Sequence, residues 1–335
     1  MSSSRRFIVV DGGLLTTVQD LGRRDMGAFG VSPSGAADWF SARAANRLVG
    51  NEDGAALVET TMNGATLDAA ARMTIAVAGA DAALWIGGKR RSLWRSHIVE
   101  PGDRVIIGPA TAGLRSYLAV DGGIDVARVL GSAATDVGGG FGGCKLAAGD
   151  TLSVVADPTA PRAILEFDAS AIPEFRQPFV LRALAGPDAA QLGSDVVAEL
   201  FAAVFRASAR SNRQALRLEG ATIGGGQSDA ISAGVCAGCV QLPGDGSPII
   251  LLAEHQTTGG YPVALCVITA DIPVAAQVSP GDEVRFERVD RAGARAALAE
   301  AGMRLRLVRA AVLKNVATDP DAGRLGRGFA EGASY

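Results

Sequence analysis

A short stretch in the second half of the chain carries the side chains best suited to chemistry. The apolar run 248–253 is too short for a helix and is followed at once by Glu254, His255, Gln256, Thr257 and Thr258. This pattern predicts a buried strand that delivers polar side chains to a loop. An imidazole, with an ordinary pKa near ~6.5, suits proton transfer, whereas a single histidine at a strand end is often structural. Both roles stay open for the histidine.

The same stretch ends in Gly259, Gly260 and Tyr261. Glycines can adopt backbone angles that other residues avoid, and successive N–H groups in such a turn can converge on an oxyanion or a phosphate. The alternative is a tight turn between two strands, with 263–268 as the second strand. Gln241 stands before a Pro-Gly turn that leads into the first of these strands and is a further candidate to bind a ligand.

A polar cluster near the N-terminus is a second candidate. The β-rich run 14–24 ends in polar groups and a glycine, which predicts a loop at the mouth of a barrel or sheet. The side chains placed there are Gln19, Asp20 and Arg23.

The clearest helix of the first half carries a polar stripe. Ser34 is its expected N-cap, Asp38 lies in its first turn, and Gly50 ends it. The stripe consists of Arg43, Asn46 and Arg47. Two arginines one turn apart could grip a carboxylate or a phosphate, and they are equally compatible with a solvated helix face.

Two further motifs are weaker. The glycine run 137–143 lacks the Gly-Lys-Ser/Thr ending of a P-loop, which favours a loop or lid. Cys236 and Cys239 have the spacing of half a zinc site or of a redox pair, but the only histidines, His97 and His255, do not lie at ligand spacing from them. We therefore favour two buried residues on a strand and predict no metal.

Composition excludes several classes of function. The 335 residues include 32 Lys and Arg against 35 Asp and Glu, for a net charge of −3, so nucleic acid is not an expected partner. No apolar run reaches the ~18 residues of a membrane span, and 7–10 predicts a short strand rather than a signal sequence. We expect a cytoplasmic protein.

The remaining pattern predicts a mainly β fold with a few helices. Gly-Asp precedes an alternating strand at Gly102, Gly149 and Gly281, which suggests two related β modules. We place the first module at 1–160, the second at 161–316 and a flexible tail at 317–335, with the boundary in the proline-rich segment 157–161. Helices are expected from Gly186 to about Phe205 and over 292–301, with a last strand over 303–308.

Several blocks of the chain resemble the allophanate hydrolase subunit 2 family. The family also includes the C subunit of 5-oxoprolinase, the antagonist of a sporulation kinase inhibitor, and the carboxyltransferase half of urea carboxylase. The blocks follow in family order from about residue 6 to about residue 313. They are Thr17–Arg23, Ser34–Asp38, Ala45–Asn51, Ser211–Arg213, Arg217–Gly220 and Gln256–Pro262.

This resemblance implies tandem cyclophilin-like β-barrel modules and a partner of the subunit 1 family, with a possible third lactam-utilisation subunit. It implies one of three functions. The first is ATP-dependent hydrolysis of a small lactam or amide, with ATP bound in the complex. The second is carboxyl transfer from carboxybiotin held on a separate carrier protein. The third is non-catalytic binding of a kinase-inhibitor-like regulator.

The chain departs from the family pattern near the expected site. Lys145 follows a short glycine loop where an arginine is usual, Ala233 stands where an acidic residue is common, and Glu254-His255 replaces aspartate and arginine. The resemblance therefore leaves the identity of the substrate open.

Hydrolysis of a lactam requires activation of its oxygen and stabilisation of the resulting anion, for which the planar donors of arginine are suited. We expect a single pocket in which His255 or Asp20 acts as acid or base and the 257–261 turn donates backbone N–H groups. The positive charge of that pocket is assigned to Arg23, Arg43, Arg47 and Arg213.

Overall fold

Two β modules follow each other along the chain in the computed structural model, which describes residues 5–155, 163–224 and 231–310. The first module is a nine-stranded sheet and the second is a closed barrel of seven strands. The prediction of a mainly β, two-module fold is confirmed, with the first sheet an open half-barrel. The predicted boundary at 157–161 and the predicted tail at 317–335 lie outside the described residues.

The first sheet is organised by two long antiparallel strands that bend at three bulges between Gly79 and Leu84. Bulges bend a strand and increase its twist, so the sheet can curve around its own core. That core is apolar and fully buried, with Phe7, Val58 and Leu118 among its members. The strands are β1 (Arg6–Asp11), β2 (Leu15–Gln19), β3 (Leu57–Thr61), β4 (Thr66–Ala69), β5 (Met73–Ile86), β6 (Lys89–Arg91), β7 (Ser96–Val99), β8 (Arg104–Val120) and β9 (Thr151–Ser153).

The barrel is closed by a parallel pairing of its first and last strands, in which Phe179 lies opposite Val284. The second-half strands are β10 (Leu165–Phe167), β11 (Phe179–Ala185), β12 (Phe205–Ala207), β13 (Ala215–Glu219), β14 (Ala233–Gly234), β15 (Cys239–Gln241), β16 (Ile249–Leu251), β17 (Thr258–Gly259), β18 (Val263–Val267), β19 (Glu283–Arg288) and β20 (Val308–Ala310). Around the barrel the strands run in the order β11, β18, β15, β16, β13, β12 and β19.

The three Gly-Asp turns predicted from the sequence immediately precede β8, β9 and β19. In each, the glycine has a positive φ, between 89° and 94°, which favours glycine over other residues. The following aspartate accepts a hydrogen bond from the N–H three residues earlier, at 2.8–2.9 Å. One local device therefore starts a strand in both modules, as the sequence repeat indicated.

The helices are α1 (Trp39–Leu48), α2 (Ala189–Leu192), α3 (Ser194–Ala202), α4 (Ile272–Ala275) and α5 (Arg291–Arg304). Ser34 is not the cap of α1: it has φ 52° in a turn, and Asp38 caps the helix by accepting from Ser41 N at 2.9 Å. The single helix predicted after Gly186 is divided at Gly193, which has φ 95°, and Phe205 starts a strand. No helix in the described ranges is long and apolar enough to cross a membrane.

The end of the described chain returns to the first module. The predicted helix over 292–301 is confirmed and continues to Arg304, so the last strand is β20 rather than 303–308. β20 pairs with β10, and Ala301 and Leu305 pack with Phe40, Trp94 and Phe167 in one buried cluster. The outer face of the first module is thus covered by residues from the C-terminal part of the chain.

Candidate functional site

A cavity of about 150 Å³ lies where a loop of the first module meets the loop that follows β16 of the barrel. A bond from Arg23 N to Pro33 O, 2.7 Å, closes the first loop, and Ser32 Oγ approaches Ala253 O of the barrel at 3.5 Å. The cavity is lined by Arg23, Asp25, Met26, Gly27, Val31 and Pro33 from the first module and by Val235, His255 and Thr257 from the barrel. Both modules are therefore needed to form it.

Arg23 is the buried charged group of this cavity, with only 2% of its surface exposed, and Asp25, which is exposed, also lines it. Its Nη2 donates to Ala134 O, and its guanidinium carbon lies 4.7 Å from the centre of the Phe141 ring. Nε and Nη1 have no hydrogen-bond partner. Burial lowers the pKa of Arg23, and the neighbouring acidic groups only partly oppose this. A buried donor without a partner is costly, so the site is suited to a ligand that brings an oxygen acceptor.

His255 is buried beside the same cavity, with 6% exposed. Its Nδ1 lies 2.7 Å from the carbonyl oxygen of Gln256, which accepts and cannot donate. In the neutral ring this contact assigns the hydrogen to Nδ1 and leaves Nε2 as an acceptor. The arrangement therefore provides a base of fixed orientation near Arg23.

Two glutamine side chains in the region also keep an unused polar atom. Gln19 Nε2 donates to Thr17 Oγ1 at 3.0 Å and to Thr135 O at 3.1 Å, and its Oε1 has no partner. Gln241 Oε1 accepts from Gln256 Nε2 at 3.1 Å, and its Nε2 has no partner. Neither glutamine is among the residues lining the cavity, so their predicted part in ligand binding stays a prediction.

The glycine turn does not form the predicted anion-binding nest. Thr258 and Gly259 pair as β17 with β14, and neither Gly259 nor Gly260 has a positive φ. A Cβ at Gly259 would displace the side-chain amide of Gln241. Tyr261 is 44% exposed. The alternative of a turn that leads into a second strand is the one observed.

Asp20 is placed as a structural group rather than as a free acid or base. Its carboxylate accepts from Gly22 N at 2.8 Å, Ser132 Oγ at 2.6 Å and Ala133 N at 2.7 Å. These bonds position the segment whose next carbonyl, Ala134 O, holds Arg23. Asp20 is therefore best described as a residue that orients the arginine.

Arg213 is used entirely by a buried link between the modules. It pairs with Glu59 of β3 and, at 2.5 Å, with Glu254, and its Nη2 donates to Gly35 O at 2.6 Å. Burial lowers the pKa of Arg213, but the two carboxylates outweigh it and hold the pKa above its ordinary value. Glu59 also accepts from Tyr117 Oη at 2.9 Å. This arginine holds the loops together and has no donor assigned to a ligand.

The helical stripe also serves the fold. Arg47 forms a bidentate pair with Asp53 at 2.6 and 2.8 Å, and its Nη1 donates to Leu305 O at 2.7 Å. Asn46 donates to Ala55 O at 2.9 Å. Arg43 lies 5.0 Å from the Trp39 ring and 4.0 Å from Asp53, and its buried Nε has no hydrogen-bond partner among the described residues. None of the three lines the cavity. The expected single pocket of four arginines is therefore corrected to Arg23 alone.

A second cavity of about 250 Å³ lies between the modules, and Arg213 is one of its wall residues. It is mostly apolar, with Leu14, Leu114, Leu216 and Val278 in its wall. Sequence reasoning missed this cavity because its residues are spread over several distant segments. It also missed Glu59, although a carboxylate inside an apolar strand was a usable signal.

Residues 29–288 match the family described as carboxyltransferase domain, subdomain A and B. The chain is 34% identical to the C subunit of 5-oxoprolinase from Escherichia coli (strain K12), over 83% of this chain and 89% of that protein. The solved structure of TTHA0988 has a TM-score of 0.78 at 33% identity, and the match covers 85% of this chain and 56% of that one. The urea amidolyase of K. lactis has a TM-score of 0.83 at 26% identity, with 91% of this chain and 20% of that one covered.

Proposed function

The chain belongs to the carboxyltransferase domain, subdomain A and B, family, and on that premise we propose that it is part of an ATP-dependent amidohydrolase of the 5-oxoprolinase type. It acts with a subunit 1 partner on a small lactam or amide. The observation that carries this proposal is the nearly end-to-end match with the C subunit of 5-oxoprolinase, which spans 89% of that protein. The match to urea amidolyase covers only 20% of the longer protein.

The cavity chemistry supports binding of a small, oxygen-rich ligand. A lactam or its carboxylate offers the planar acceptors that the free Nε and Nη1 of Arg23 require. In hydrolysis, the water oxygen bonds to the carbonyl carbon, the C–N bond breaks, and a proton is delivered to the leaving nitrogen. His255 Nε2 is the acceptor that takes the proton from water and returns it to the nitrogen.

The glycine run 137–143 does not fit a nucleotide phosphate. The N–H groups of the glycine run are used internally: Gly139 N donates to Asp136 Oδ1 at 2.6 Å and Gly140 N to Asp136 O at 2.9 Å. A phosphate would have to displace both bonds and approach a carboxylate. We therefore propose that ATP binds in the complex away from this run, and no step on this chain is routed through the nucleotide.

Carboxyl transfer is the second candidate, favoured by the TM-score of 0.83 with urea amidolyase. In that case Arg23 would bind the carboxyl group or the accepting amide, and the carboxybiotin would arrive on a separate carrier protein. The two functions differ in what they consume, so one reconstituted system distinguishes them.

The test is co-expression with the subunit 1 partner and the lactam-utilisation protein, followed by an assay of phosphate release from ATP. We expect release that depends on 5-oxoproline, accompanied by an equal amount of glutamate, and loss of both with His255→Ala. The control is Arg206→Ala, which removes an exposed ion pair with Glu283, and neither residue lines the cavity. Turnover with carboxybiotin and an amide, but none with 5-oxoproline, would replace the first function by the second.

A further inference from the structure

Three of the four cysteines lie together on the barrel. Cys236 and Cys239 are the ends of a tight turn in which Cys239 N donates to Cys236 O at 3.1 Å and Gly238 has φ 91°. Their sulfurs are 3.7 Å apart. The expectation of two buried residues on one strand is therefore wrong: Cys236 is exposed on the turn, and Cys239 is buried at the start of β15.

The third cysteine, Cys266, lies directly opposite Cys239 in the antiparallel pairing of β15 with β18. Hydrogen bonding with the thiols of Cys236 and Cys266 lowers the pKa of Cys239. The same bonds raise the pKa of Cys236 and Cys266. The lowest pKa of the three thiols is thus that of Cys239, whose sulfur lies 3.7 Å from that of the exposed Cys236.

We propose that Cys236 and Cys239 form a reactive dithiol site that takes low-molecular-weight disulfides as its substrate class and closes to an intramolecular disulfide. The geometry supports this because an S–S bond of about 2.05 Å needs only a small approach of two sulfurs that already touch. The exposed member can meet an external molecule, and the buried member is held in contact with it.

The reaction balances as two thiol–disulfide exchanges. A proton passes from the Cys236 thiol to the Cys239 sulfur across their 3.7 Å contact, and the Cys236 thiolate attacks an external disulfide RSSR. The attack breaks the external S–S bond, forms a mixed disulfide on Cys236 and releases RS⁻, which takes the proton from Cys239 and leaves as RSH. The Cys239 thiolate then attacks the Cys236 sulfur, breaks the mixed disulfide and releases the second R group as RS⁻. The external disulfide is reduced and the two cysteines are oxidised, and the one proton and one negative charge of the pair leave on RSH and RS⁻.

The Cys236–Cys239 turn lies next to a wall residue of the cavity that Arg23 and His255 line, so a disulfide in the turn should affect that cavity. Val235 directly precedes Cys236, lines the Arg23 and His255 cavity, and donates its N–H to Thr257 O at 3.1 Å. Closing the turn fixes the segment that carries this wall residue. Ligand binding in the cavity is therefore expected to differ between the reduced and oxidised chains.

The experiment treats the reduced full chain with oxidised glutathione, blocks the remaining thiols under denaturing conditions, and counts them by intact mass. We expect the four thiols to fall to two. Cleavage after glutamate separates 220–254, which holds Cys236 and Cys239, from 255–283, which holds Cys266. The disulfide should lie within 220–254. Retention of all four thiols, or a bond that joins two peptides or two chains, overturns the proposal.

Matched variants test the order of the two exchanges. Cys144→Ser and Cys266→Ser each leave three thiols, which should fall to one, because neither cysteine belongs to the pair. Cys239→Ser should stop at the first exchange and carry one glutathione on Cys236. If Cys266→Ser keeps all three thiols, or if Cys239→Ser carries no glutathione, the assignment of the pair is wrong.

Discussion

Replacement of Arg213 by methionine should destabilise the protein strongly, because it leaves two buried carboxylates without their partner. Glu59 and Glu254 are 1% and 4% exposed, and Arg213 contacts both. Removing one member of a buried ion pair costs about 3–5 kcal/mol, since the remaining charge is uncompensated. Arg115 lies 3.8 Å from Glu59 and offsets part of this, so the lower half of that range is expected.

The assay is urea unfolding followed by fluorescence and by far-UV circular dichroism. All three tryptophans, Trp39, Trp85 and Trp94, belong to the first module, whereas circular dichroism reports on both modules. The two transitions should separate in Arg213→Met, because the residue links the modules. The control is Arg206→Met, whose ion pair with Glu283 is 62% and 35% exposed and should cost less than ~1 kcal/mol.

The loss of unfolding free energy in Arg213→Met should also depend on pH. In the wild type, burial raises the pKa of Glu59, but Arg213 and Arg115 outweigh it and hold the pKa below its ordinary value. This stabilisation is present above the unfolded pKa and is lost as the pH falls through the folded pKa. Without Arg213, burial dominates and the carboxyl prefers to be protonated in the folded state. The penalty should therefore shrink as the pH falls from about 8 towards about 5. Equal losses in both arginine variants, or no dependence on pH, would refute the reasoning.

Three further predictions concern the site and its surroundings. Arg23→Met in the assembled enzyme should weaken binding of 5-oxoproline by about 1.5–3 kcal/mol, which calorimetry would read as a roughly 10- to 150-fold rise in Kd. Arg23→Lys should restore only part of the lost affinity, because lysine lacks the planar donors of arginine. Arg47→Ala should lower the free energy of unfolding by about 1 kcal/mol and leave KM unchanged, because the ion pair of Arg47 with Asp53 is about one third exposed. Loss of turnover at normal stability would instead support the catalytic role that the sequence predicts for Arg47. Gly142→Ala should cost about 1–3 kcal/mol in chemical unfolding, because Gly142 has φ 79° and a Cβ there collides with the backbone oxygen of Ala134 and with the Arg23 guanidinium. An unchanged midpoint would contradict these contacts.

The sequence was most informative where the structure depends on neighbouring residues. The Gly-Asp turns combine a positive φ with an aspartate that binds an N–H three residues earlier, so the motif itself specifies the turn. The start of α1 was misplaced because Ser34, a good cap by type, is followed by Gly35 and both adopt positive φ. The break at Gly193 was missed because apolar spacing continues across it.

The roles of the arginines could not be predicted from the sequence, because whether a guanidinium stabilises the fold or binds a ligand depends on which carboxylate or carbonyl lies next to it in the folded chain. Arg213 meets Glu59, which lies 154 residues away in the chain. Arg47 meets Asp53 only six residues away, yet helical spacing gives no sign that the chain turns back after Leu48. Arg23 and His255 were named from their types, and the feature that joins them, a loop closed by Pro33, depends on tertiary structure.

The return of the C-terminal residues to the first module bears on how the protein is synthesised. Phe40 and Trp94 are translated early, whereas Ala301 and Leu305, which cover the same buried cluster, are among the last described residues to leave the ribosome. During synthesis, the apolar surface formed by Phe40 and Trp94 therefore stays uncovered, and open to chaperones or to other chains, until the barrel and the residues that follow it have been made. Expression of residues 1–160 alone would leave this cluster without Phe167, Ala301 and Leu305.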